Sequence, residues 1–181
     1  MKNSILILTF LSVLFSCNGD DSEQNSDNSQ EITLPDELNF TGRLIDCSDF
    51  SVHQLLNLEN PNISLNIGGS GRESLNLNST MKLFSLPDND INVDITIYDT
   101  PVSTIYCNDV APDEPPILIS KWSPVSGTIK LSVSDIEETE FDTFYKMAIL
   151  LENVVFEKAD SNETRIISSL VIDSNLGFLP G

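Results

Sequence analysis

Histidine is almost missing from this chain: His53 is the only one among 181 residues. A single histidine excludes a multi-histidine zinc site. Any Ser-His-Asp arrangement would have to pass through His53, and no Gly-x-Ser-x-Gly elbow accompanies it. His53 lies in a Leu-rich stretch, where an ordinary structural or surface role is expected of it. Bases are scarce too, with 9 Lys and Arg against 28 Asp and Glu and a net charge of −19. That sign repels nucleic acid, whose phosphates require cationic side chains to displace counterions. It also opposes an electrostatic grip on anionic lipid and leaves a solvated, self-repelling surface. Aromatic platforms for sugars are few, with one Trp and three Tyr. No P-loop or Gly-x-Gly-x-x-Gly fingerprint is present; "GGSGRES" lacks the lysine such a loop requires. Paired carboxylates leave a hydrolase as an alternative, although 28 acids will place some pair at glycosidase spacing by chance. No catalytic residues are assigned, and the chain reads as a non-enzyme.

Long apolar runs are equally scarce. The one run, residues 5–15, is broken only by Thr9 and Ser12 and follows Lys2. As a helix it would reach about 16 Å, well short of a hydrocarbon core of roughly 30 Å. A short apolar run behind a positive residue reads as a signal peptide, residues 1–16. It ends in "LFSC", residues 14–17, which resembles the lipobox of bacterial lipoproteins. Leu14 stands at −3, Ser16 at −1 and Cys17 at +1, while Phe15 is bulkier than the small residue usual at −2. The resemblance implies that Leu14 and Ser16 present the site to a signal peptidase. It also implies that Cys17 takes a diacylglyceryl thioether, becomes the mature N-terminus and is N-acylated. Two or three acyl chains make a stable anchor, where one holds only marginally.

Residues 18–31 contain no aliphatic or aromatic side chain. Such a segment cannot bury enough surface to offset its ordering entropy, so residues 17–36 read as a disordered acidic tether. The acids Asp20, Asp21 and Glu23 resemble the export signal of surface-exposed lipoproteins in some Gram-negative bacteria. The implied location is the outer membrane, surface-exposed, with the periplasmic face as the alternative.

The remainder, residues 37–181, reads as one all-β domain, an antiparallel sandwich of the immunoglobulin type or a relative. "INVDITIYD" puts Ile91, Val93, Ile95 and Ile97 on one face, and "SGTIKLSVSD" does so with Ile129, Leu131 and Val133. "FYKMAILLENVVFEK" alternates Tyr145, Met147, Ile149 and Leu151, then shifts phase to Val154 and Phe156, which predicts a β-bulge near Glu152 and Asn153. Shorter runs such as "SLNLN", "STIYC" and "ILISKW" read as further strands, separated by turn signals at "NP", "GGSG", "PDND", "APDEPP" and "SPVSG". "SDFSVHQLLNLEN" could instead carry one short helix capped by Ser48 or Asp49, with Val52, Leu55, Leu56 and Leu58 inward.

With Cys17 assigned to lipid, Cys47 and Cys107 remain, and an exported pair is most simply a disulfide. No cofactor beyond the lipid on Cys17 is required. A Ca²⁺ site is a candidate at "LPDNDINVD", where Asp88, Asp90 and Asp94 supply carboxylates. Trp122, at a strand end, is expected to pack in the core or its rim, with a ligand platform as the alternative. The expected role is therefore an anchored interaction module that binds a protein or glycan partner, with the membrane reached through lipid. Two alternatives stand beside it: an accessory subunit of an outer-membrane uptake or secretion complex, and the carboxylate hydrolase.

Overall fold

The computed structural model describes residues 33–102, 105–107, 112–140 and 143–178. These residues contain eight strands and no helix. The strands are β1 (Leu44–Cys47), β2 (Ser51–Leu55), β3 (Ile63–Gly69), β4 (Lys82–Ser85), β5 (Ile91–Tyr98), β6 (Leu118–Glu138), β7 (Thr143–Lys158) and β8 (Thr164–Phe178). All strand pairs are antiparallel, in the order β1-β2-β3-β5-β6-β7-β8. β4 joins β6 beside β5, with Leu83 opposite Lys130.

The fold is one curled sheet, a half-barrel, whose two ends approach each other. Asp46 on β1 closes the gap: its carboxylate accepts Ser174 Oγ at 2.8 Å and Asn175 N at 3.0 Å on β8. The inner face follows from period-two patterning. Leu65, Ile67, Val93, Ile95 and Ile97 from one half meet Ile129, Leu131, Met147, Ile149, Leu151 and Phe156 from the other, all buried. Fully burying one such side chain contributes about 1.5–3 kcal/mol, so this facing pair of apolar surfaces dominates the stability.

The predicted phase shift in β7 is present. Ser126 on β6 stands opposite Val155 and Thr128 opposite Glu152, so two β7 residues, Asn153 and Val154, face the single Gly127. Asn153 takes a positive φ of 50° there, and both Leu151 and Val154 stay buried. Four sequence expectations give way, among them "STIYC", whose described residues 105–107 form a turn and not a strand. The helix alternative over residues 48–60 is replaced by β2, because Val52 and Leu55 reach the core while Leu58 is exposed. "SLNLN" forms a turn closed by Leu75 N to Gly71 O and Leu77 N to Arg72 O. "SPVSG" does not end a strand: β6 passes through Pro124 and Gly127 with local register shifts and is 21 residues long in all.

The compact unit starts at Thr33, a little before residue 37. Leu34 and Leu38 are buried, and the backbone of Asp36 and Leu38 pairs with Ile166 at the outer edge of β8. This covers part of an edge that would otherwise invite another strand.

Candidate functional site

Two features stand out on this scaffold. The first is a polar network on the outer face of β2, β3 and β5. Register places His53, Asn66 and Asp94 in one cross-strand row. The neighbouring row holds Ser64 and Thr96. Asp94 is 5% exposed, and its carboxylate accepts Asn66 Nδ2 at 2.7 Å, Asn92 Nδ2 at 3.0 Å and Lys121 Nζ at 3.0 Å. Asn66 Nδ2 also donates to Thr96 Oγ1 at 2.9 Å, so its Oδ1 must face His53 and Ser64. His53 Nδ1 lies 2.8 Å from that oxygen and therefore carries the proton. His53 Nε2 is left as an acceptor, and Ser51 Oγ lies 3.1 Å from it.

Tyr106 roofs this network. Its ring stacks on His53 with centroids 3.8 Å apart, and its hydroxyl lies 2.6 Å from Ser64 Oγ. Desolvation under this roof lowers the His53 pKa below the usual value, against the opposing pull of Asn66 and Asp94. Burial likewise raises the Tyr106 pKa. The neighbouring Cys107 is disulfide-bonded to Cys47, with Cα atoms 5.5 Å apart, and so ties the roof to the end of β1.

The second feature is the start of β6. Ile117, Leu118 and Ile119 are 65%, 48% and 56% exposed in succession. β5 lines one side of this segment, with Leu118 opposite Tyr98. On the other side the β7 ladder begins only at Trp122, opposite Lys158. Among the described residues no strand pairs with Leu118–Ser120 there, so an apolar strand edge is open.

The sequence candidates fare differently. Cys47 and Cys107 come together as a disulfide. Trp122 is not an exposed platform: it is 2% exposed, with the Arg165 guanidinium 5.2 Å and the Lys158 ammonium 6.0 Å from its ring centroid. Asp88 caps its own turn by accepting Asp90 N and Ile91 N, whereas Asp94 is committed to the polar network. Among the described residues no three His, Cys, Asp or Glu side chains gather as a metal site, so Asp88, Asp90 and Asp94 are not brought together. Leu14, Ser16, Cys17, Asp20, Asp21 and Glu23 lie outside the described residues.

Sequence reasoning missed the polar row. Its signal was polar residues at period two in three successive strands: Ser51 and His53, Ser64 and Asn66, then Asn92, Asp94 and Thr96. It also missed the open edge, whose signal was "ILI", three apolar residues without alternation. Comparison of this chain with known protein families, with curated proteins and with solved structures finds no match.

Proposed function

We propose that this chain is a lipid-anchored envelope protein of the outer membrane whose β-domain docks an extended segment of a partner protein along the open edge of β6. The observation that carries the reading is the exposed run of residues 117–119 beside a strand edge that is unpaired among the described residues. Three consecutive exposed apolar residues work against solubility unless they serve a function. An open edge supplies backbone hydrogen bonds to an added strand, and flanking side chains supply specificity. The ladder with β5 shifts register at this point, skipping Ile119, and all three aliphatic side chains stay exposed beside the edge. A protein partner is favoured over a glycan because Trp122, the aromatic residue best suited to stack on a sugar, is buried. The anchor rests on Cys17 and its lipobox, and the acidic tether after it favours surface display.

Two experiments test the reading. Cys17→Ala should abolish acyl labelling and move the protein into the soluble fraction; persistent labelling would refute the anchor. Ile119→Lys places a charge on the open edge, a common natural defence against strand addition. Partner capture from intact cells should survive Val171→Lys, an exposed site on β8, and fail with Ile119→Lys. Equal capture by both variants would refute edge docking.

A further inference from the structure

The polar row across β2, β3 and β5 is a directed chain of hydrogen bonds. Its hydrogen bonds have a fixed direction, set by the one anion at its inner end. Asp94 can only accept, so Asn66 must turn its amide nitrogen inward and its oxygen outward. That oxygen fixes the proton on His53 Nδ1 at 2.8 Å. The free lone pair on Nε2 then points at the hydroxyl of Ser51, 3.1 Å away. A nucleophile, a base within hydrogen-bond reach and a third group orienting that base form the arrangement by which serine hydroxyls are activated.

We propose that Ser51 is a base-assisted nucleophile able to take an acyl group from a small activated ester, with His53 as its base and Asn66 and Asp94 as positioning residues. As Ser51 Oγ bonds to the carbonyl carbon, its proton passes to His53 Nε2. Collapse of the tetrahedral species breaks the bond to the leaving alkoxide, which takes that proton and departs as the alcohol. Water then adds to the acyl-serine, giving a proton to Nε2, and the Ser51 oxygen recovers it as the carboxylic acid leaves. Burial lowers the pKa of His53, whereas Asn66 and Asp94 pull it up. Its surroundings are Tyr106 against the ring, Ser51 at Nε2, Asn66 at Nδ1, and Asp94 with its ion-pair partner Lys121 behind. Base assistance of this kind contributes about 10²–10⁴ in rate, and no oxyanion stabilisation is invoked.

The test treats the full chain with an alkyl fluorophosphonate and reads the intact mass and the labelled peptide. The serine oxygen displaces fluoride from phosphorus, and its proton passes to His53. One adduct is expected, on Ser51, and it should be absent from Ser51→Ala. Labelling should slow by about 10²-fold or more in His53→Gln, with unfolding midpoints confirming that both variants are folded. The wild-type rate should fall with pH through an apparent pKa below the usual histidine value, a readout that needs no variant. No adduct, an adduct on another serine, an unchanged rate in His53→Gln, or a flat pH profile would each overturn the proposal.

Discussion

Replacing Asp94 with Ala should destabilise the domain by about 2–4 kcal/mol, a value built from its three partners. The Asn66 Nδ2 bond, at 2.7 Å, is shielded and charge-assisted, and such bonds contribute about 1.5–3 kcal/mol. The Lys121 ion pair is 3.0 Å long, but the lysine side chain is 44% exposed and rehydrates when released. Screening limits that pair to about 0.2–1 kcal/mol. Asn92 is exposed and exchanges its bond for water at little cost. Asp94→Asn keeps the volume but turns one acceptor into a donor facing other donors, so about 1–2 kcal/mol is expected. Equilibrium urea unfolding, with the slope checked for constancy, measures both. The Ala variant should also lose about 5–15 °C in Tm, at roughly 2–4 °C per kcal/mol for a domain this size. An Asp94→Ala variant within about 0.5 kcal/mol of wild type would refute the claim that this carboxylate organises the outer face.

Three further outcomes follow from the same geometry. Reducing the Cys47–Cys107 bridge, or replacing both cysteines with Ser, should cost about 4 kcal/mol in the chain-entropy account for a 60-residue loop, read as a lower urea midpoint. An unshifted midpoint would mean that the bridge constrains nothing. Gly127→Ala should cost more than about 1 kcal/mol, because Gly127 has a φ of 124° and an added Cβ would lie 2.5 Å from Val154 Cα; unchanged thermal unfolding would contradict the bulge geometry. His53 binds its proton less readily folded than unfolded. Its contribution is therefore fully present above the ordinary histidine range and is lost as pH falls through the lower folded value. Between pH 8 and 5 the urea midpoint of wild type should fall more than that of His53→Gln, and parallel curves would count against it.

Strand content was legible in the sequence where one face is core and the other solvent. Ile91, Val93, Ile95 and Ile97 are all buried as their alternation requires. The β7 bulge was legible for the same reason: a one-residue insertion reverses the faces, and apolar residues record the reversal at Leu151 and Val154. The length of β6 was hidden because Pro124 and Gly127 resemble a turn, yet a strand can bend at such residues by shifting register. The polar network was hidden for a different reason. Ser51, Asn66 and Asp94 lie on three strands, and only the register of β2-β3-β5 makes them neighbours. Asp94 shows the consequence: its acidic neighbours suggested a cation, but the ladder gives it Asn66 and Lys121 as partners. Trp122 at a strand end reads first as packing and only alternatively as a platform, and it does pack, with Arg165 over its ring.

The most direct test of partner docking is site-resolved crosslinking in intact cells. A photoreactive amino acid replaces Ile119 in one strain and Val171 in another. Edge docking predicts one discrete crosslinked partner from position 119, mapping to an extended segment of that protein, and none from position 171. Crosslinks of equal yield at both positions, or none at 119 in cells that display the protein, would contradict it.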